Sequence, residues 1–399
     1  MEALGDAQEA ADLIRYACDQ MEANEGYVKQ MGRDPLPGYR VTNTSILRPH
    51  GVWLVVSPFN FPAALSGGPA GAALLAGNTV VLKPATATPW SARLLAECFQ
   101  VPGLPAGAFN FVTGSGGTLG QALVEDPRVD GITFTGSYEI GMRILRMTAG
   151  GPWPRPCIAE MGGKNAAVVS RRADLDAAAM GILRSAFGLQ GQKCSATSRI
   201  FVERPVKEAL IERLLARIGA ISMGDPTRRE HWMGPVINAG AVRRFEQCMA
   251  ALGRAGRVLC GGRRATEGAA ARGFFCPPTL VADVPLGHPL WQEEMFLPIA
   301  MLGAVDSLDE AMELVNSATF GLTAGFFGTK TEAARFFDRV QVGVAYANRP
   351  QGATTGAWPG FQPFGGWKGS GSSGKNGGGL YYLPLYMREQ VQSLVEPRA

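Results

Sequence analysis

The sequence predicts an α/β protein built on parallel sheets with crossover helices, and three observations carry that prediction. Short apolar or β-branched runs alternate with longer helical patterns along nearly all of the 399 residues. Hydrophobic residues make up 46% and charged residues 18%, the balance of a chain that buries a large core rather than staying disordered. The 52 glycines and 27 prolines are scattered between apolar runs without a period, which excludes collagen-like and low-complexity architectures. At about 150 residues per domain, the length suggests two to three domains.

Taken in order, the candidate strands are Val52–Val56, Thr79–Leu82, Phe109–Val112, Gly131–Phe134, Ala166–Val169, Ile200–Val202, Thr279–Val281, Leu322–Phe327 and Gly343–Tyr346. Between them lie amphipathic or Ala-rich segments with a helical repeat: Ser91–Phe99, Glu139–Thr148, Leu175–Leu189, Pro205–Ile218 and Ala241–Leu252. Two stretches break the alternation. Arg33–Pro49 is rich in Pro and Gly and then becomes the alternating VTNTSIL, the pattern of a solvated or partner-facing strand. Pro350–Gly379 is packed with Gly, Ser, Pro and aromatics, and a loop this long in a compact domain is usually functional. Strand character returns in Tyr381–Glu396.

The composition also narrows the function. A net charge of +4 without a long basic run gives no footprint for nucleic acid. No apolar stretch reaches the roughly 18 residues of a membrane span, and MEALGDAQEAADLI lacks the build of a signal peptide. Seven cysteines with no CxxC pair read as reduced thiols of a cytosolic protein. With only His50, His231 and His288, no metal site is expected.

Several segments carry residues suited to chemistry. Gly114–Gly120 (GSGGTLG) follows a strand but has the wrong spacing for a dinucleotide fingerprint, so phosphate contact and a plain turn both fit. Phe134–Gly141 (FTGSYEIG) follows the strand GITF and opens a helix. Gly136 and Ser137 therefore stand where free N–H groups and the helix dipole favour an anion, unless Ser137 is only a cap. Lys83 ends the strand TVVLK, where α/β sheets bind ligands, although a solvated lysine is the plainer reading. Cys194 stands between Lys193 and Ser195 in a polar, Gly-containing break and is expected to be more exposed than the other cysteines. A neighbouring ammonium lowers a thiol's pKa below about 8.5 and raises its reactivity. Glu160 is followed by two glycines that let it swing as a general base toward water. Asn60, held among prolines and aromatics in PFNFP, offers a rigid amide to an oxyanion. Glu294, in an apolar setting, either accepts from ribose hydroxyls or is an ordinary surface acid.

The order of these segments is more telling than any one of them. SPFNFP, KPA, FTGSYEIG, EMGGKN, GQKCSA, EEMFLP and QPFGG together resemble the aldehyde dehydrogenase superfamily over essentially the whole chain. The resemblance implies an aldehyde dehydrogenase-like α/β fold, with a Rossmann-like cofactor domain at 1–162 that lacks its family's start and carries a protruding hairpin near 38–50. It further implies a catalytic domain at 163–380, and an oligomerisation tail at 381–399 that makes a homodimer or higher homo-oligomer.

By the same resemblance Cys194 is the nucleophile that forms a thiohemiacetal and then a thioester, Asn60 is an oxyanion donor and Glu160 activates the hydrolytic water. NAD, with NADP tolerated, would be bound by Ser57, Phe59, Lys83, Ala85, Thr86, Gly136, Ser137, Gly141, Glu160, Met161, Gly162, Glu294 and Phe296. Thr86 stands where family members often carry a Glu that repels a 2′-phosphate.

GQKCSA and Thr355–Gly366 look most like the 1-pyrroline-5-carboxylate dehydrogenase group, which oxidises glutamate semialdehyde in proline catabolism. That likeness implies a small aldehyde substrate held by Arg15, Phe61, Lys193, Ser195, Gly356, Ala357 and Phe364. Three departures, Leu297 for a usual Gly, Trp358-Pro359 and Trp367, add apolar surface near the expected pocket and would suit another semialdehyde or a bulkier aldehyde. A cysteine esterase or amidase lacks a convincing His partner, and an impaired relative of the family is the non-enzymatic alternative.

Overall fold

A computed structural model describes residues 2–32, 34–100, 103–350 and 358–397, which form two compact units. The first unit contains 2–160 and takes the chain back at 358–364 and 375–397. At its centre is an all-parallel sheet in the order Phe109–Phe111, Thr79–Lys83, Val52–Val56, Gly131–Thr135, Cys157–Glu160. Counted along the chain this is 3-2-1-4-5, the doubly wound order, with its switch point between Val52–Val56 and Gly131–Thr135. The central strand, VWLVV, is apolar on both faces because helices or core segments cover both. Trp53 is fully buried there, and Gly131 makes room for it, since a Cβ at 131 would run into the indole ring.

One helix of this unit escapes the periodicity rules. Ala64–Leu75 (ALSGGPAGAALL) contains three glycines and a proline, and intrinsic propensity argues against it. Packing overrides that preference. A Cβ on Gly68 would come within 2.7 Å of Leu13 Cδ1, and one on Gly71 within 2.7 Å of Ile14 Cγ1, so the bare backbone lets helix Glu2–Ala23 lie directly against it. Asp6 of that helix caps the other, accepting from the N–H groups of Ala63 (3.0 Å) and Ala64 (2.9 Å).

A second, antiparallel sheet of the same unit joins Val28–Gln30, Tyr39–Pro49 and Met387–Pro397. The alternating VTNTSIL is its middle strand, and the C-terminal strand pairs with it from Met387↔Pro49 to Pro397↔Tyr39. The C-terminal segment is thus stitched into the first unit: Leu383, Tyr386 and Met387 share one core with Trp53, Val55 and Ile158.

The second unit contains 161–350 and 365–374. Its seven-stranded sheet runs Arg257–Cys260, Thr279–Ala282, Ile299–Val305, Thr197–Glu203, Asn165–Val169, Thr323–Phe327, Val344–Ala347, parallel except for the first edge strand. Strand Ile299–Val305 and helices Leu308–Asn316 and Lys330–Arg339 were not expected from sequence; the last two are set by side-chain caps from Ser307 and Thr329. The helix expected over Leu175–Leu189 stops at Phe187, because Leu189, Gln190 and Gly191 all turn left-handed (φ 50°, 57° and 67°). Among the described residues no helix is long and apolar enough to cross a membrane.

Candidate active site

Strand register gathers the first unit's candidates on one edge. Val56 is paired with both Lys83 and Phe134, and Thr135 with Glu160, so Ser57, Lys83, Gly136 and Glu160 all stand at the carboxyl edge of the doubly wound sheet. Ser57 is tied to this edge by its N–H, which donates to Lys83 O at 3.2 Å, while its hydroxyl lies 2.7 Å from Ser66 Oγ. Phe59, Asn60 and Phe61 follow at once in a half-buried turn that runs into helix Ala64–Leu75.

Lys83 is not the solvated lysine that was the plainer expectation. It is 3% exposed, its stem runs beside Gly120, its Nζ donates to Pro84 O at 3.0 Å, and burial pulls its pKa down. Ala85 is half-buried, and the exposed Thr86 donates its hydroxyl to Gly114 O at 3.3 Å, which gives the GSGGTLG segment a turn-bracing part. Helix Tyr138–Ala149 begins on the same edge. Ser137 holds its N-cap position without a side-chain cap bond, and its exposed hydroxyl stands at the positive end of the helix, where an anion is favoured. Gly136 N–H donates to Glu160 O at 3.1 Å, and buried Gly141 lies one turn into the helix.

The second unit uses the opposite edge of its sheet. Asn165 opens one strand, Thr197 the next, and Ile299 the one beyond, so Gly162–Lys164, Cys194 and Glu294–Leu297 lie just before the amino ends of adjacent strands. Cys194 is half-buried between Lys193 (2% exposed) and Ser195 (3% exposed). This corrects the exposure expected from its polar neighbours: the exposed thiol is Cys98, and Lys193 is buried rather than solvated. The polar residues of GQKCS face inward to brace the loop; Gln192, for example, accepts from Ile237 N–H at 2.9 Å. Burial raises the pKa of four other thiols, Cys157 and Cys276 to about 12 and Cys248 and Cys260 less far, which leaves them unreactive.

Two residues that sequence reasoning passed over hold the backbone of Cys194, the expected nucleophile, in place. Asn165 donates through Nδ2 to Cys194 O (2.6 Å) and Ala196 O (2.9 Å), and accepts from Thr323 N–H at 3.0 Å. Gly163 packs so closely beneath Cys194 that any Cβ would collide with its carbonyl oxygen. The Gly163 N–H donates at 2.9 Å to Glu294 Oε1, and a Cβ on Gly162 would occupy the space of that carboxylate. The two-glycine turn therefore touches both the backbone of Cys194 and the expected ribose ligand. Ser370 clamps the turn, donating to Gly162 O at 2.7 Å and accepting from Gly321 N–H at 3.1 Å.

Glu294 is no ordinary surface acid. Burial pushes its carboxyl up to about 7, against the Gly163 N–H and the charges of Lys164 and Arg244. Lys164 is 2% exposed, and its Nζ has no hydrogen-bond partner among the described residues. Burial first, and then Arg199, push it down to about 7, while Glu294, Cys248 and Glu293 pull the other way. Phe296 is held in the left-handed region (φ 58°), a conformation maintained only where surroundings impose it.

Arg15 projects from helix Glu2–Ala23 with its side chain 75% exposed, near Asp12 at 3.9 Å. Phe61 packs with Ala10, Leu13 and Ala64 on that helix's other side. Phe364 belongs to the first unit and bridges Gly377. Gly356 and Ala357 fall outside the described residues. Of the three departures, Leu297 is buried in the apolar core with Met295 and Ile299 and adds nothing to a pocket surface, whereas Trp358 and Trp367 are exposed. Among the described residues no group of three His, Cys, Asp or Glu could hold a metal.

The aldehyde dehydrogenase family pattern matches residues 1–391 of this sequence. The chain belongs to that family. A 1-pyrroline-5-carboxylate dehydrogenase of Geobacillus thermodenitrificans is 40% identical over 98% of this chain and 75% of its own length. The crystal structure of a Thermus 1-pyrroline-5-carboxylate dehydrogenase with bound NAD superposes with a TM-score of 0.91 at 35% identity, covering 100% of this chain and 75% of that one. An NADP-dependent enzyme of E. coli matches with a TM-score of 0.90 at 33% identity, over 98% of this chain and 78% of that one. In this aldehyde dehydrogenase no strand of the doubly wound sheet is followed directly by GxGxxG, yet the sheet keeps the strand order, and a helix opening at its carboxyl edge, that the motif usually accompanies.

Proposed function

We propose that this chain is an NAD(P)-dependent aldehyde dehydrogenase that oxidises L-glutamate 5-semialdehyde, formed from 1-pyrroline-5-carboxylate, to glutamate in proline catabolism. The observation that carries it is the Gly162–Gly163 turn, which braces Cys194 and docks Glu294 with the same few backbone atoms. The similarity to 1-pyrroline-5-carboxylate dehydrogenases supports the substrate.

The residues present fit a dinucleotide. Lys83 would meet a ribose hydroxyl, the helix N-terminus at Gly136 and Ser137 the pyrophosphate, and Glu294 the nicotinamide ribose, with Phe296 beside the ring. The chemistry supplied by bound NAD is acceptance of a hydride. Thr86 has no carboxylate to repel a 2′-phosphate, so NADP is accepted as well.

Cys194 Sγ adds to the aldehyde carbon as the carbonyl π pair moves onto oxygen. Asn60 Nδ2 and the Cys194 N–H donate to that oxyanion, a service worth about 3–4 kcal/mol per donor. After oxidation to the thioester, Glu160 takes a proton from water as the water oxygen bonds to the acyl carbon. The C–S bond then breaks and returns the thiolate. The first unit acts as the cofactor domain and the second as the catalytic domain. The ribbon Tyr39–Pro49 with Met387–Pro397, whose Tyr39, Val391, Leu394 and Val395 are exposed, pairs with a second copy of the chain. Seven free cysteines suit the reducing cytoplasm.

The test is reduction of NAD and NADP, followed by absorbance, with glutamate semialdehyde beside aliphatic and aromatic aldehydes. Turnover of the semialdehyde that disappears in Cys194→Ala is expected. Good turnover of other aldehydes without it would refute the substrate and leave the family.

A further inference from the structure

The segment that carries Glu294 and Phe296 has no ladder of its own. Residues 293–298 run between the short helix Pro289–Trp291 and strand Ile299–Val305 without regular structure, so their backbone carbonyls take partners from elsewhere. Two of those carbonyls share one partner. Arg244 Nη2 donates to Glu294 O at 2.7 Å, and Arg244 Nε donates to Met295 O at 3.2 Å. These two nitrogens lie on one edge of the planar guanidinium, so a single side chain grips two successive carbonyls as a fork.

The grip falls where the backbone is strained. The Met295 carbonyl belongs to the rigid peptide plane that joins Met295 to Phe296, and the setting of that plane against the Phe296 Cα is the φ of Phe296. That angle is 58°, in the left-handed region, where a non-glycine residue stays only while its surroundings hold it. On the far side, Ile299 N–H donates to Leu297 O at 2.7 Å, and Met295, Leu297 and Ile299 are buried in one core. On the near side, Gly163 N–H holds the Glu294 carboxylate at 2.9 Å. Arg244 fixes the peptide planes between these two anchors.

The helix that carries Arg244 is itself fixed. Ala239–Ala255 starts at Asn238, whose side chain accepts from Ala241 N–H at 3.0 Å. Its Val242, Phe245 and Cys248 are buried in the same core as Met295 and Leu297. The fork therefore reaches the turn from a rigid base. A lysine at 244 would keep the charge but not the fork, since an ammonium is a single point.

We propose that Arg244 is a positioning residue for the cofactor-facing turn. Its guanidinium fixes the Glu294 and Met295 carbonyls, holds Phe296 left-handed, and so sets where the Glu294 carboxylate and the Phe296 ring meet the nicotinamide half of the dinucleotide. The proposal rests on Glu294 and Phe296 meeting the cofactor. Arg244 acts through the backbone of the turn and not on the reacting atoms.

The variants are Arg244→Met and Arg244→Lys in the full chain, read by melting temperature, calorimetric NAD affinity and steady-state kinetics. Arg244→Met is expected to weaken NAD about tenfold, in Kd and in KM for NAD alike, because a misplacement well under 1 Å suffices for such a loss. The KM for aldehyde at saturating NAD stays within about twofold of wild type, since the turn does not hold the aldehyde. Arg244→Lys also weakens NAD, by about threefold, and serves as the test if Arg244→Met does not fold. In a Phe296→Ala background either substitution is expected to cost less, because the ring whose place Arg244 sets is gone. Wild-type NAD affinity in both variants overturns the proposal. So does a lower melting temperature in which the two KM values move together, the mark of a packing role. Full affinity in Arg244→Lys assigns the effect to charge and overturns the fork, and losses that simply add in the Phe296→Ala background overturn the route through Phe296. A wild type that binds neither NAD nor NADP overturns the cofactor reading as well; a wild type that binds, with unmoved variants, overturns only this proposal.

Discussion

Replacing Gly163 by Ala tests whether one turn holds the nucleophile. The added Cβ would fall well inside van der Waals contact with the Cys194 carbonyl oxygen and at 2.7 and 2.9 Å from Asn165 Oδ1 and Nδ2. The oxygen belongs to backbone, and the amide is fixed by three hydrogen bonds, so neither yields cheaply. Overpacking of this kind costs about 1–3 kcal/mol. Losing the two bonds from Asn165 Nδ2 adds about 0.5–1.5 kcal/mol each. The sum, about 2–6 kcal/mol, lowers the melting temperature by about 4–24 °C, given about 2–4 °C per kcal/mol for a large domain. Displacing Cys194 by on the order of half an ångström to 1 Å lowers kcat by about 10- to 100-fold. Thermal melting and pre-steady-state bursts, with Gly162→Ala as comparison, supply the measurements. Gly162→Ala pushes instead on the mobile end of Glu294 and raises the KM for NAD. A Gly163→Ala protein that melts within about 1 °C of wild type and turns over within twofold would refute the bracing argument.

The carboxyl of Glu294, raised to about 7 by burial, accepts most strongly and through both oxygens when ionised, so NAD affinity falls as pH drops below about 7. Calorimetric titration between pH 5.5 and 8.5 checks this, and Glu294→Gln should flatten the dependence. Lys164 titrates near 7 when folded and near 10.5 when unfolded, so the unfolded chain holds more protons in that window and stability rises with pH across it. Lys164→Met removes the buried charge; its gain in melting temperature is expected to be largest at pH 6 and to shrink toward pH 9. Asp6→Ala strips the cap from Ala63 and Ala64 and costs about 1–2 kcal/mol, read as a lower denaturant midpoint with unchanged kcat.

Sequence pattern reached the parallel strands because apolar runs such as VWLVV can be little else, and it singled out Cys194 because that cysteine alone sits in a polar break. It missed helix Ala64–Leu75, where close packing on Leu13 and Ile14 overrides the propensity of Gly and Pro. It misjudged Lys83 and Lys193, since charge predicts solvent and cannot register a stem enclosed by distant residues. Asn165 carried a usable signal, a polar residue opening an otherwise buried strand. Arg244 carried none, because the carbonyls it grips stand 50 and 51 residues further along the chain.

The C-terminal stitching of the first unit governs the order of events at the ribosome. Leu383, Tyr386 and Met387 complete the core that Trp53 and Ile158 begin, so that core stays open until Met387 has been made. At about 5–20 residues per second, the wait between Glu160 and Tyr386 is roughly 10–50 s. Nearly all of the second unit, continuous from 161 to 350 apart from its short return at 365–374, emerges in the meantime. The nascent first unit therefore waits with an apolar sheet face uncovered while residues 161–386 are made, which makes it a part of the molecule that needs chaperone cover.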